Sequence, residues 1–398
     1  MAKTLPYGRQ SVTEADINAV VDVLRGPFWT TGPKVLAFEE AVAEVTEADH
    51  CVSVSNGTAA LQILYQAAGL TCGDVIIVPA ITFLATANAA EFLGARAVFA
   101  DVDPQSGLMT PETFAAAIDR YPEARYAVAV HLNGRSCDMQ GLAELAHAND
   151  VMLFEDAAHA LGSQTRADNE VVPVGKNAFS AGSCFSFHPV KTVAMGEGGA
   201  ITFQDAATAE RARLLRSHGM SRDKNTAHEL LLDDDGQLEP WCYVMDQPGH
   251  NVRVTDIQCA LGLSQLARLP ETIEIRRCHV QQYNERFADH AELVFPVASE
   301  DIDVTTWHLY PILCQAGRAA RAALYRALRD QHINPQIHYI PLPLQPYFKG
   351  RCDMNQIPGA ISYYERCLSL PLYVGLTPED IDRVADTVID FLEVFSEP

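Results

Sequence analysis

Basic residues are scarce. Twenty-nine Lys and Arg stand against 51 Asp and Glu, a formal charge of −22. A surface of that sign repels nucleic acid and anionic membranes, so an anionic substrate needs a local basic pocket. Paired cysteines are missing too. The ten cysteines are scattered and no two stand in CxxC spacing. That argues against a zinc site or a disulfide framework, and it suits a reducing cytosol. No apolar run is long enough to span a membrane, and the first residues, MAKTLPYGRQ, carry no apolar signal core. Repeats, low-complexity tracts and long linkers are also absent. The expectation is a cytoplasmic protein with no metal site and with neither nucleic acid nor membrane as a partner.

What is present fits a globular enzyme. A chain of 398 residues can bury one large core and a smaller one. Thr13 reads as a cap for a helix through Leu24, and Lys34 to Val45 as a second helix. Strands and helices then alternate. Strands are predicted at Cys51–Val54, Val75–Pro79, Ala97–Ala100, Tyr126–Val130 and Val151–Phe154, with helices between them. Short, doubly apolar strands joined by helices predict a mostly parallel sheet wrapped by helices. Residues 221–249 read as an irregular surface excursion with an acidic turn at Asp233–Gly236. A long helix from about Glu271 leads to a smaller α+β domain, with strands predicted at Thr306–Leu313 and Asn334–His338. The boundaries are 1–250 for a large domain and 251–398 for a small one.

Five stretches carry candidate chemistry. In SAGSCFSFHPVKTVAMGEGGAIT, Lys191 sits in a loop between two apolar runs, where a lysine can approach a ring and form a Schiff base with an aldehyde cofactor. Ser53–Leu61 runs from a strand into a helix through small polar residues, and free amides there with Thr58 make an anion cradle. Phe83, just after a strand, can stack on a planar ring. Asp156 and His159 follow another strand's C-terminal edge, where ligands of open α/β sheets gather. A carboxylate there can hold a ring nitrogen in its charged form. Asn251 and Arg253 precede a helix and can reach a phosphate. The same residues also read as an ordinary loop lysine, a capped helix, a core phenylalanine, a satisfied histidine and a solvated turn.

Taken in order, these pieces decide between the readings. TTGPKVLAFEE, SNGTAAL, ITFLATANAAEFLGARAVFADVD, EDAAHALGS, FSFHPVK, GEGGAI, GHNVRVTDIQCALGLSQL, HLYPIL and HYIP together resemble the DegT-type sugar-nucleotide aminotransferases, from Gly32-Pro33 to about Pro371. The resemblance implies the α/β fold of aspartate aminotransferase (fold type I) and a pyridoxal 5′-phosphate (PLP) cofactor. It implies that Lys191 links to the cofactor and moves the proton, and that Asp156 pairs with the pyridine nitrogen. Phe83 would stack on the ring, and His159 would stand near its phenolic oxygen. Gly57, Thr58 and Ser186 would bind the phosphate, with Asn251 reaching it from the other subunit of a homodimer. The cofactor would alternate with its pyridoxamine form.

Within that family the chain is similar to the transaminases of pseudaminic acid synthesis, through RSHGM, PWCYVMDQPGHN, HLYPIL and QIHYIPL. That likeness implies L-glutamate as donor and a UDP-linked 4-keto-6-deoxy-N-acetylhexosamine as acceptor. Tyr7, Phe28, Trp29, Thr30, His338 and Tyr339 would then line the sugar-nucleotide pocket. Arg216, His218, Arg222, Lys224 and His308 are candidate pyrophosphate partners, or surface charges. Three alternatives stand beside this reading: a GDP- or dTDP-linked keto sugar, a dehydratase, and a non-catalytic protein on the same scaffold. Family dehydratases carry His where this chain has Lys191.

Overall fold

The runs Val75–Pro79, Arg96–Ala100, Tyr126–Val130 and Met152–Asp156 are buried almost throughout. Segments with no polar face pair inside a sheet that is covered on both sides. The computed structural model of the protein describes residues 3–168, 170–296 and 301–396. Its chain begins with helices α1 (Glu14–Arg25) and α2 (Pro33–Thr46). Strand–helix units follow: β1 (His50–Val54), α3 (Gly57–Ala67), β2 (Val75–Pro79), α4 (Leu84–Glu91), β3 (Arg96–Ala100), α5 (Pro111–Arg120), β4 (Tyr126–Val130), α6 (Met139–Ala148) and β5 (Met152–Asp156). β6 (Gln164–Ala167) and β7 (Glu170–Pro173) form a separate hairpin. β8 (Ser183–Ser186) and β9 (Gly199–Phe203) complete the main sheet, in the order β1-β9-β8-β5-β4-β2-β3.

All neighbours in that sheet pair in parallel except at β9, which is antiparallel to both β1 and β8. The C-terminal ends of β1, β2, β5 and β8 therefore share one edge. The candidate residues Gly57, Phe83, Asp156 and Ser186 all lie at or just beyond those ends.

After α7 (Ala206–Arg216), the chain makes its surface excursion. The stretch is largely irregular, as its sequence predicts, but a two-residue pairing of β10 (Met220–Ser221) with β11 (Val244–Met245), which the sequence reading lacked, closes it. α8 (Asp256–Leu266) packs against α1 and α2. Buried Asp256 pins it there by accepting the Gly32 and Lys34 amides at 2.8 and 2.9 Å. α9 (Leu269–Phe287) leads to the antiparallel sheet of β12 (Val294–Pro296), β13 (Tyr310–Cys314) and β14 (Cys367–Leu370), with α10 (Gly317–Asp330), α11 (Pro358–Arg366) and α12 (Pro378–Ser396).

Leu5 belongs to the second apolar cluster, with Tyr283, Trp307, Leu324 and Leu368. Backbone bonds from Leu5 N–H to His332 O (2.9 Å) and from Leu372 N–H to Tyr7 O (3.0 Å) strap the N-terminal segment to this part of the fold. That strap is what brings Tyr7 beside His338, with ring centroids 5.5 Å apart.

Two strand expectations are corrected. The strand predicted from Thr306 begins only at Tyr310, because Trp307 adopts φ +49°, outside extended backbone. Asn334–His338 forms no strand: it meets β14 through a single bridge, Gln336 to Ser369. In a longer ladder Asn334 would pair with Pro371, which has no N–H to give, and the Asn334 N–H already goes to Leu5 O at 2.8 Å. Among the described residues no helix is long and apolar enough to cross a membrane, and no His, Cys, Asp and Glu cluster could hold a metal ion.

Candidate active site

A cavity of about 540 Å³ opens at the shared C-terminal edge. Its lining brings together Tyr7, Gly57, Thr58, Phe83, Asp156, His159, Ser186, Lys191, His338 and Tyr339. Phe28, Trp29, Thr30 and Asn251 are not in that lining. The turn holding the first three is docked on α8 through the Asp256 N–H to Trp29 O bond (3.0 Å) and a Thr30–Thr255 bridge, and it is exposed. Asn251 is also exposed and bridges Ser217. A larger cavity of about 990 Å³ lies elsewhere, beside Asp103, Arg135, Gln164 and Phe287, and contains none of the candidate residues.

The start of α3 builds one part of the lining. Asn56 caps the helix and accepts the Ala59 amide at 2.9 Å. The Gly57 and Thr58 amides lie in the first turn, where no intrahelical acceptor exists. Both residues line the cavity. Close approach explains the glycines: a Cβ on Gly57 would stand 2.8 Å from Ser186 Cβ, and one on Gly199 would stand 2.4 Å from Asn56 O. A helix start with free amides, Thr58 and Ser186 hydroxyls and no side chain in the way suits a phosphate dianion.

Asp156 lines the same cavity and is only 6% exposed. Its Oδ2 accepts the Thr86 hydroxyl at 2.7 Å, and its Oδ1 accepts the Ala158 amide at 3.2 Å and the Cys184 thiol at 3.6 Å. Lys191 lies in the loop between β8 and β9. Burial pulls its pKa from 10.5 down to about 8, and the Asp156 charge opposes that pull. A neutral amine is therefore accessible near physiological pH, as nucleophilic chemistry requires.

Histidines crowd the same space. His159 Nδ1 accepts the Asn133 amide at 3.3 Å, which puts the proton of the neutral ring on Nε2, 3.3 Å from Tyr339 Oη. Burial first, then the Lys191 and His338 charges, push the His159 pKa well below its ordinary value. His338 is driven down to about 3, mainly by burial, and its Nδ1 meets Ser369 Oγ at 2.9 Å. Phe83 is 54% exposed, and its ring centroid lies 5.8 Å from that of Tyr339.

Of the five basic residues marked for a pyrophosphate, the cavity holds only His308, which is buried with its ring 4.4 Å from that of His159. Arg216 is paired with Glu39 and the Ser53 carbonyl. Arg222 and Lys224 bond to Pro240 O and Gln237 Oε1 within the excursion, and His218 is exposed.

Sequence reasoning passed over Thr86 and Cys184, which both bond to Asp156. The available signal was faint: two threonines four apart, Thr82 and Thr86, in a tract that is otherwise nearly all apolar or small.

Comparison with known proteins identifies the family. Residues 10–389 match the model of the DegT/DnrJ/EryC1/StrS aminotransferase family. The spore coat polysaccharide biosynthesis protein SpsC of Bacillus subtilis is 33% identical over 98% of this chain and 97% of its own. Among solved structures, Helicobacter pylori PseC, an aminotransferase of pseudaminic acid biosynthesis, superposes with a TM-score of 0.88 at 28% identity, covering 99% of this chain and 100% of its own. Spr1654 of Streptococcus pneumoniae, in its PLP form, gives a TM-score of 0.88 at 27% identity over 99% of this chain and 100% of its own. It is also known in a pyridoxamine form.

Proposed function

We propose, for a chain that belongs to the DegT/DnrJ/EryC1/StrS aminotransferase family and is therefore a PLP-dependent sugar aminotransferase, transfer of an amino group from L-glutamate to C4 of a UDP-linked 4-keto-6-deoxy-N-acetylhexosamine. The product of that reading is UDP-4-amino-4,6-dideoxy-N-acetyl-β-L-altrosamine, a precursor in pseudaminic acid or related surface-glycan synthesis in the cytoplasm. Likeness to PseC along the whole chain carries it.

The residues that line the cavity suit that chemistry. Gly57, Thr58 and Ser186 would hold the cofactor phosphate, Asp156 the protonated pyridine nitrogen, and Phe83 one ring face. His159, donating from Nε2, would stand by the ring oxygen. Bound PLP supplies an electron sink conjugated to the amine nitrogen. Lys191 Nζ, neutral in part near pH 8, accepts the proton from the donor's α-carbon and later delivers one to the sugar carbon that becomes aminated. Such positioned proton transfer contributes about 10²- to 10⁴-fold. Tyr7, His338 and Tyr339 form the wall available to the sugar. Phe28, Trp29 and Thr30, outside the cavity in a single chain, would extend this surface toward the nucleotide. Asn251 would complete the phosphate cradle of a second subunit in a homodimer.

The test is a panel of UDP-, GDP- and dTDP-linked keto sugars with glutamate, read by mass spectrometry. Fastest amination of the UDP-linked 4-keto N-acetyl sugar is expected. A GDP- or dTDP-linked sugar converted faster would overturn the substrate assignment while leaving the reaction class standing. A protein that turns over no keto sugar but binds one would favour a regulatory scaffold.

A further inference from the structure

The Asp156 carboxylate is almost fully removed from water, so protein groups must do the work of its hydration shell. Thr86 Oγ1 stands 2.7 Å from Oδ2, and Thr82 Oγ1 stands 2.7 Å from Thr86 Oγ1. Both threonines are buried, at 1% and 0% exposure. Each hydroxyl owns one proton. With Asp156 ionised, Thr86 gives its proton to Oδ2, and Thr82 gives its own to Thr86. Every hydroxyl proton in the chain then has an acceptor.

Protonating Asp156 on Oδ2 reverses the order. Oδ2 would donate to Thr86 and Thr86 to Thr82, and the Thr82 proton, at the cavity lining, would be left with no protein acceptor among the described residues. Thr86 is the only hydrogen-bond partner of the Thr82 hydroxyl among the described residues. A buried donor left unsatisfied is costly. The arrangement is therefore asymmetric and favours the carboxylate over the acid.

We infer that Thr86 is a positioning residue for Asp156, and that Thr82 and Thr86 form a one-way donor chain that keeps this carboxylate ionised and fixed at the cavity wall. The inference rests on the reading of Asp156 as the partner of the cofactor's ring nitrogen. It assigns Thr86 a function through Asp156, with no contact to substrate. The other titratable groups that feel the Asp156 charge are Lys191, Cys184, Tyr65 and Tyr339, and T86V leaves them all in place, so a changed acid limb of cofactor binding in T86V reports the lost hydroxyl.

The experiment measures PLP affinity of the apo-protein by equilibrium dialysis between about pH 4 and pH 8, for the parent chain and for T86V, T86S, T82V and D156N. Removing a hydrogen bond to a charged group should weaken PLP binding at pH 7 by about tenfold to a hundredfold in T86V. The acid pH at which affinity collapses should rise by about one unit or more. T86S retains the hydroxyl and should follow the parent. T82V should shift in the same direction by less.

If D156N binds PLP as the parent does at every pH, the underlying assignment of Asp156 fails. If D156N loses affinity but T86V keeps the parent's acid limb, the donor chain is refuted and the Asp156 assignment survives. T86S behaving like T86V would mark a packing role and also refute the chain. Should T86V fail to fold, T82V decides alone: an upward shift supports the chain and no shift refutes it.

Discussion

Asp156 and Lys191 line one cavity, and the carboxylate's charge holds up an ammonium pKa that burial pulls down to about 8. The two groups come from different elements, the end of β5 and the loop after β8. Their meeting turns a loop lysine into an amine that is partly free near neutrality while still close to an anion.

That balance sets a pH dependence. Capture of PLP by the apo-protein needs the neutral amine, so its rate should rise about tenfold per pH unit below about 8 and level off above it. Asp156 raises the Lys191 pKa, so D156N should move the inflection to lower pH. Stopped-flow absorbance of cofactor capture measures both. An inflection near 10.5, the ordinary lysine value, would show that the amine is not desolvated.

Lys191→Ala removes the only lysine in the cavity lining among the described residues. Turnover of glutamate and keto sugar should disappear, along with the visible band of lysine-linked cofactor, while the fold is retained. Product formation followed by mass spectrometry checks the first and absorbance the second. Residual amination at a tenth of the parent rate would remove Lys191 from the mechanism.

Gly57→Ala tests the phosphate cradle. The new Cβ would lie 2.8 Å from Ser186 Cβ, so α3 or β8 must shift. Overpacking of this kind costs about 1–3 kcal/mol, which is about 5- to 150-fold in PLP affinity if the strain falls on the cradle. Fluorescence titration of the apo-protein reads it. Unchanged affinity would place the phosphate elsewhere.

Arg276 is buried, with its Nη1 donating to the Trp307, His308 and Leu372 carbonyls at 3.2, 3.3 and 3.2 Å. Burial lowers its pKa to about 10, so it remains charged at neutral pH. These bonds fix the backbone of Trp307 at its positive φ and so set His308 against His159. Arg276→Met should leave those carbonyls without that donor and cost more than about 1 kcal/mol of stability in urea unfolding. Equal or greater stability would mean that the desolvated charge outweighs its bonds.

The local elements were legible in the residues. Thr13 caps its helix through a hydrogen bond, as a small hydroxyl residue before an apolar-periodic run does. Doubly apolar runs became buried strands, with β1 and β3 at the two edges of the sheet. The motifs around Lys191, Asp156 and Gly57 marked one edge of the sheet, because parallel strands put all their C-terminal turns on the same side. Trp307 was less readable: a bulky residue at φ +49° has no sequence signature, and its packing, the Arg276 bonds and the His308 N–H to Asn133 O bond (2.8 Å) hold it there.

The sequence by itself determined the fold class and the reaction class, and it named most of the candidate residues that line one cavity, since these rest on local pattern and on side-chain type. Tertiary structure decided the rest. It brought Tyr7 to His338 through the strap at Leu372, and buried Thr82 and Thr86 behind Asp156. It also left Phe28, Trp29, Thr30 and Asn251 outside the cavity. Hydrogen-bond direction and desolvation depend on what surrounds a group in three dimensions, and neighbours far apart in the chain supply that environment.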